Sequence, residues 1–250
     1  MKKYLIVLSA FILLAPAGAF SDSISFRVGY FFPSANSDLW DIEFENMDFA
    51  ESSFQDSIFG FTYDYFLSNQ LSISIGLDGY SQKKLGTYLD YVGDFVDDEL
   101  FAFDYGAGSA VSHVFTVSMT PIQASLKIAP LGRRGSFIPY IGGGGSLILW
   151  TMRLQGDLID FSDPVEFYDV VLETDVIGYP VLSVDARQEN KIALGWHAFG
   201  GVMIPVGRRI SIEGELKYTS ASGDISEAFV GFDNLDLSGF QVTVGVNYWF

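Results

Sequence analysis

The sequence predicts an all-β protein, an eight-stranded antiparallel up-and-down transmembrane β-barrel with long extracellular loops. Three observations lead to this prediction. Apolar residues recur at every second position in several segments, the final segment keeps the same period, and the connections between segments alternate between short and long. A period of two gives a strand one apolar face and one polar or small face. A strand that crosses a bilayer needs about 9–11 residues.

The first residues predict export. Lys2 and Lys3 form a basic start, residues 4–15 an apolar core, and residues 17–19 a small-residue cleavage site, so residues 1–19 are interpreted as a secretory signal peptide. The apolar run is too short for a membrane-spanning helix, which needs about 20 residues. Residues 20–250 are then expected to form a single β-barrel domain in the bacterial outer membrane.

Strand-like segments follow one another along the rest of the chain. They cover Ile24–Phe32, Ser57–Phe66, Leu71–Tyr80, Ser112–Ala129, Ser136–Trp150, Lys191–Ile204, Ile210–Thr219 and Leu237–Phe250. In the fourth segment the alternation changes phase, because Phe115, Val117 and Met119 share one parity whereas Ile122 and Leu126 share the other. A β-bulge near the proline at position 121 is therefore predicted.

The connections alternate in length and carry most of the negative charge. Residues 67–70, 130–135 and 205–209 form tight turns, whereas residues 33–56, 82–110, 151–190 and 222–236 are long and hold 26 of the 31 acidic residues. Small bacterial barrels combine short periplasmic turns with longer extracellular loops. The acidic loops are interpreted as solvated and extended. The alternative, divalent-cation binding beside lipopolysaccharide, lacks an EF-hand-like ligand spacing.

Some loop segments are expected to continue as strands above the membrane. Residues 40–45, with the sequence WDIEFE, alternate strictly between apolar and acidic residues, and part of residues 166–175 mixes the two more loosely. Pairing in strands would cover aromatic residues that otherwise form an adhesive surface.

The final segment resembles the terminal signature of bacterial outer-membrane β-barrels, which the barrel assembly machinery reads. Its apolar positions are Val242, Val244, Val246, Tyr248 and Phe250. The alternative interpretation is the last strand of a soluble sandwich.

The segment of residues 139–145, PYIGGGG, resembles a strand motif of the OmpA/OmpX/OmpW-type superfamily of small outer-membrane barrels. With the strands, loops and export signal, the resemblance covers the whole mature chain at the level of pattern. It implies outer-membrane lipid, lipopolysaccharide and the assembly machinery as partners. Unlike full-length OmpA proteins, the chain is expected to lack a peptidoglycan-binding domain after the barrel.

Charged residues on the inward faces are the candidate functional residues. An eight-stranded barrel is only wide enough for side chains to fill it, and buried charges must be paired and hydrogen-bonded. Arg27 is expected to reach Glu213 or Glu215 across the interior. The two interpretations are a static network that fills the barrel and a polar path for small solutes. The residues of this lumen polar network are Arg27, Asp64, Asp78, Lys127, His197, Glu213, Glu215 and Lys217.

Composition argues against several functions. A net charge of −17 disfavours a nucleic-acid surface, and the absence of Cys excludes thiol chemistry and zinc sites based on Cys. Ser112 and His113 are sequence neighbours whose side chains point to opposite faces of a strand, and no G-x-S-x-G motif occurs. No catalytic residue, metal or cofactor is therefore expected.

The function expected from the sequence is that of a non-enzymatic outer-membrane barrel, either structural or a narrow porin-like passage for small, including apolar, molecules. The alternative is a surface adhesion or interaction protein that acts through its acidic loops, whose partner the sequence does not identify. A hydrolase that modifies lipid A is the third hypothesis.

Overall fold

The computed structural model describes residues 22–250, apart from the side chain of Asn190. The predicted signal peptide lies outside the described residues. Strands dominate, with one short α-helix and one turn of 3-10 helix between the first two strands. The elements are β1 (Ser23–Pro33), α1 (Asp38–Asn46), the 3-10 helix (Glu51–Phe54), β2 (Asp56–Phe66), β3 (Leu71–Val96), β4 (Glu99–Phe103), β5 (Ser109–Ile128), β6 (Ile138–Ile159), β7 (Val165–Asp169), β8 (Thr174–Pro205), β9 (Ile210–Gly223), β10 (Leu235–Asp236) and β11 (Gly239–Trp249).

Eight long strands pair with one another in a circuit. Each pairs antiparallel with its neighbours in the order β1, β2, β3, β5, β6, β8, β9 and β11, and β11 pairs with β1 over eleven consecutive residue pairs. The predicted count of eight strands is too low, because the described residues form eleven strands in one sheet. The additional strands β4, β7 and β10 are short and lie in segments predicted as loops.

The circuit has two unlike ends. The lower end holds both termini of the described chain and the short connections, residues 67–70, 129–137 and 206–209. The upper end is uneven, because β3, β6 and β8 have 26, 22 and 32 residues whereas β1, β2 and β11 have 11 each. The upper parts of the long strands occupy much of residues 82–110 and 151–190. The expectation that loop segments continue as strands is confirmed there.

The predicted β-bulge near Pro121 is wrong. Strand β5 runs without interruption through Pro121, which pairs with Ile148, and its register against β3 is the same on both sides of this position. The change of phase instead marks a change of surroundings. Phe115, Val117 and Met119 point inward and are buried, whereas outward residues such as Ile122 are exposed.

The predicted strand at residues 40–45 is also wrong, since these residues belong to α1. The apolar and acidic residues alternate there, but Leu39, Trp40, Glu43 and Met47 fall on one helical face, at the spacings of three and four residues that a helix brings together. That face is buried. Within residues 22–250, no helix has the length and apolar character needed to cross a membrane.

Helix α1 and the 3-10 helix fill the upper interior. The ring of Trp40 meets those of Phe54 and Phe115 edge-on, with both centroid distances 4.9 Å. Trp150 and Met152 of β6 belong to the same buried cluster. The upper interior is therefore an apolar core of the kind found in soluble domains.

Candidate functional site

The polar residues singled out from the sequence occupy the lower interior. Each lies at an inward position of its strand, between outward apolar neighbours, and each is no more than 5% exposed. Strand β9 contributes Glu213, Glu215 and Lys217, and β1, β2, β3, β5 and β8 contribute one residue each. The circuit of strands therefore brings eight ionisable groups from six strands into one layer.

Four of these residues form a charged chain across the interior. The guanidinium of Arg27 donates from Nη1 to Glu215 Oε1 and from Nη2 to Asp78 Oδ1, the latter over 3.4 Å. Lys217 Nζ donates to Asp78 Oδ2 over 2.7 Å and to Gln123 Oε1 over 2.8 Å. Asp78 is thus shared by two cations, which is how a buried carboxylate remains compatible with a low-dielectric interior.

A second pair lies beside this chain. Lys127 Nζ donates to Asp64 Oδ2 over 2.9 Å, and Ser74 also donates to Asp64. The same Lys127 Nζ lies 4.2 Å from the centroid of the Tyr140 ring, within the range of a cation–π contact. The Tyr140 hydroxyl donates to Glu215 Oε2 over 3.1 Å, which links the two groups of charges.

Glu213 and His197 have neutral partners. Ser25 donates to Glu213 Oε1, whereas Oε2 of Glu213 is buried without a hydrogen-bond partner. The expected contact of Arg27 is therefore made with Glu215. The His197 ring lies between two hydroxyls, with Nε2 2.7 Å from Ser125 Oγ and Nδ1 2.8 Å from Ser146 Oγ.

Little space remains in this layer. A cavity lined by Arg27, Thr62, Gln123 and Lys217 among others has a volume of about 20 Å³, roughly what one water needs. The side chains fill and cross-link the interior at this level. Chemically, the layer is suited to holding strands together, since its charged groups are turned towards one another.

Sequence reasoning missed the neutral members of the network, Ser25, Ser125, Ser146, Gln123 and Tyr140. A signal was available, because Ser25, Gln123 and Ser125 share the inward face of β1 and β5 with Arg27 and Lys127, and Tyr140 and Ser146 lie on the buried face of β6. The predicted network contains only ionisable side chains. Small hydroxyl and amide side chains at inward positions are needed to satisfy the charges when no water reaches them.

A second buried polar pair lies higher, in the apolar core. His113 Nε2 is 2.8 Å from Glu43 Oε2, and both side chains are buried. Ser112 faces the opposite side of β5, so the two neighbours considered for hydrolase chemistry do not meet. Burial, the largest influence, together with the carboxylate of Glu43, raises the pKa of nearby Tyr88 to about 12.

The terminal segment forms β11, whose apolar residues Val242, Val244, Val246 and Tyr248 point outward and are exposed. Among residues 22–250, no three His, Asp or Glu side chains are grouped so that they could hold a metal ion.

No family model matches the chain, and no curated protein matches it. Its structural neighbours are small outer-membrane β-barrel proteins. Neisserial surface protein A is 13% identical with a TM-score of 0.48, and the match covers 92% of this chain and 97% of that one. Ail of Yersinia pestis is 9% identical with a TM-score of 0.43, covering 92% and 99%. Outer membrane protein AlkL is 14% identical with a TM-score of 0.38, covering 94% and 92%. None of these likenesses bears on what the chain does.

Proposed function

We propose that the chain is a closed β-barrel of the bacterial outer membrane, non-enzymatic and non-conducting, which acts through the part that rises above the membrane. The observation that carries this proposal is an inverted distribution of polarity. In the lower half, charged residues are buried inside while large apolar residues point outward. The exposed outward residues include Phe26, Val28, Tyr30, Phe59, Ile73, Ile75, Leu77, Leu126, Ile141, Leu194, Trp196, Ile212, Leu216, Val242, Val244 and Val246.

Such an exterior is unstable in water and suited to lipid. Monomeric soluble proteins rarely expose contiguous apolar patches larger than a few hundred Å², whereas these residues recur on all eight long strands. In β1 and β11 the apolar rows extend from the pair Ile24–Tyr248 to the pair Phe32–Phe240. That is the length of about nine residues that a tilted strand needs to cross a bilayer.

Aromatic residues mark the borders of this belt. Near its upper border, the centroids of Trp196 and Tyr218 are 5.7 Å apart and those of Tyr218 and Phe240 are 4.7 Å apart. Near the lower border, Tyr248 and Phe250 are in contact at 5.5 Å. Aromatic girdles at both interfaces are typical of outer-membrane barrels.

Quenching by lipids that carry bromine at defined depths of the acyl chain tests the membrane position. Trp196 is 53% exposed on the belt, whereas Trp40 and Trp150 are 2% exposed inside. In a variant that retains Trp196 as its sole tryptophan, we expect strong quenching. A variant that retains only Trp150 is the control and should be quenched weakly. Equal quenching of the two, or a mature chain soluble without detergent, would contradict the proposal.

The two interior layers together block the interior of the barrel to solutes. A solute would meet the apolar core around Trp40 and Phe115 and then the charged chain of Arg27, Asp78 and Lys217. We therefore expect refolded protein to produce no steps of current in planar bilayers and no swelling of liposomes in sugar solutions. Solute-dependent conductance of the unaltered chain would instead favour the narrow passage considered from the sequence.

Lipopolysaccharide is the lipid partner that we propose. Lys83, Thr116, Arg153 and Arg187 pair in one row across β3, β5, β6 and β8, four residues along β6 from outward-facing Leu149. Three cations at this level are notable in a chain with 14 Lys and Arg, and guanidinium groups bind phosphate well. Arg153→Gln with Arg187→Gln should lower the amount of co-purified lipopolysaccharide, measured by mass spectrometry. Arg134→Gln, at the lower end, should not.

For insertion, we propose that the barrel assembly machinery reads β11, whose outward residues end at Tyr248 and Phe250. Deleting Phe250 should reduce the amount of folded protein in the outer membrane, whereas Phe137→Ala, at an exposed aromatic of a short connection, should not. Equal losses in the two variants would contradict this role.

A further inference from the structure

Two β-hairpins lie side by side at the top of the molecule, and residues of both line a cleft. One hairpin consists of the end of β3 and β4, and the other of β7 and the start of β8. They are tied together where Phe101 and Ala102 of β4 pair with Pro180 and Tyr179 of β8. The cleft has a volume of about 350 Å³, within the range of about 300–1,000 Å³ that is typical of small-molecule sites.

The inner surface of the cleft is aromatic. Phe167 meets Phe101 edge-on at 4.9 Å between centroids and Phe103 at 5.8 Å. Gly178 lies beneath two of these rings, since a Cβ there would be 2.7 Å from Phe103 and 2.9 Å from Phe167. Tyr105 packs edge-on against Phe103 at 5.7 Å. Ring faces and edges of this kind form a floor for an apolar group or a cation.

Negative charge surrounds the mouth. Asp94, Tyr105 and Asp169 line the cleft. Burial, followed by the charges of Asp169, Asp104 and Asp94, raises the pKa of Tyr105.

No cation opposes this charge within the two hairpins. Residues 85–112 contain six acidic residues and residues 154–186 contain eight, and neither stretch contains Lys or Arg. The potential in the cleft is therefore strongly negative, and the compensating charge must come from outside these segments.

From the aromatic floor and the uncompensated carboxylates, we infer that the cleft binds a small organic cation, an ammonium or guanidinium group carried on an apolar body. The apolar body would lie on Phe103 and Phe167, and the charged group would face Asp94 and Asp169. An anion would be repelled, and a neutral apolar molecule would lack the electrostatic contribution. Binding in the cleft does not require that the interior of the barrel be blocked. The inference can therefore be tested independently of the function proposed above.

The test uses the full mature chain in lipid nanodiscs, with empty nanodiscs as the blank. The probe is 2-phenylethylammonium, and its matched comparisons are neutral 2-phenylethanol and anionic 3-phenylpropanoate, measured by calorimetry at low and at moderate salt. We expect the cation to bind about tenfold more tightly than the alcohol. A cation–π contact together with the charge of a carboxylate produces a difference in affinity of about this size. The propanoate should not bind.

Matched variants assign the binding to the cleft. Asp94→Asn with Asp169→Asn should reduce affinity for the cation about tenfold, to the level of the alcohol. Phe167→Leu should weaken the cation more than the alcohol. Asp163→Asn removes an exposed carboxylate of the same segment that does not line the cleft, and should leave affinity within about twofold. Equal affinity for cation and alcohol, equal losses in the Asp163 variant, or no binding at millimolar probe would overturn the inference.

Discussion

The Oε2 atom of Glu43 in α1 lies 2.8 Å from the Nε2 atom of His113 in β5. Both side chains are buried within an aromatic core. This contact joins the helix that fills the upper interior to the wall around it. Other polar contacts of α1 lie at its start, where Asp233 N donates to the Asp38 carboxylate and Trp40 Nε1 donates to Asp236 O over 3.2 Å. The Glu43–His113 pair adds a polar contact on the buried face of the helix, and it fixes how that face packs against β5. A buried polar pair gains specificity from its geometry.

Removing Glu43 should loosen the helix. Glu43→Ala leaves the buried His113 ring without this partner, and leaving a buried polar group unsatisfied costs about 1–3 kcal/mol. We expect faster hydrogen exchange of the α1 amides and earlier proteolysis within residues 34–55, at unchanged strand content. Glu45→Ala is the control, because Glu45 is exposed on the same helix. Similar behaviour of both variants would show that the pair does not seat the helix.

The charged chain in the lower interior should behave as a coupled unit. Lys217→Met leaves Asp78 with a single cation, Arg27, at 3.4 Å, and should lower the free energy of unfolding by about 3–5 kcal/mol. Combining it with Asp78→Asn should restore part of the loss, because the unpaired carboxylate is removed as well. Urea unfolding of the two single variants and the double variant measures the coupling. Additive losses would rule out this interaction.

Close backbone contact at the β1–β11 seam makes Gly29 sensitive to substitution. A Cβ at Gly29 would overlap the carbonyl oxygen of Val242 and lie 2.7 Å from the Cα of Thr243. Because backbone cannot move aside, Gly29→Ala should cost about 3 kcal/mol, the upper end of the usual cost of overpacking. The folded fraction in heat-modifiability gels reports the effect. Gly214→Ala should be tolerated, since no atom lies within 4 Å of its Cβ.

The carboxylate of Asp185, on the outer face above the belt, should titrate at unusually low pH. Hydrogen bonds from Arg187 and Arg153 lower the pKa of Asp185 below its usual 3.8. A carboxyl whose pKa is lower in the folded state stabilises it above the unfolded pKa, and this contribution is lost as pH falls through the folded value. Carboxyl NMR should therefore show a midpoint well below 3.8. Arg187→Gln should raise that midpoint, whereas Arg208→Gln, in a lower turn, should not.

The sequence predicted the lower half of the molecule well and the upper half poorly. Inward and outward residues of β1, β9 and β11 alternate as expected, because an apolar exterior and a polar interior impose one period of two along each strand. In the upper half the interior becomes apolar and the exterior polar. The same strand therefore carries its apolar residues on the inward face in the upper half and on the outward face in the lower half. In β5, Phe115 and Ile122 lie on these opposite faces, and the change from one face to the other led to the wrong prediction of a bulge.

The upper core could not be predicted because a short helix of mixed composition provides it. Over six residues, the positions of Trp40 and Glu43 are compatible with the period of a strand as well as with that of a helix. Only packing against the surrounding strands decides between the two conformations. The partner of Glu43, His113, is 70 positions away in the chain. The alternation of residues along each strand predicts which charged residues of the lower layer point inward. Which of them are in contact depends on the register of non-neighbouring strands.

The unequal lengths of the strands give the molecule a tall side and a low side. On the tall side, β6 continues for ten residues from Leu149 to Ile159, which at about 3.3 Å per residue is roughly 33 Å along the strand. The aromatic cleft lies near the top of this side, far from the apolar belt. A molecule held there would lie well above the low rim formed by β1 and β11, which have 11 residues each.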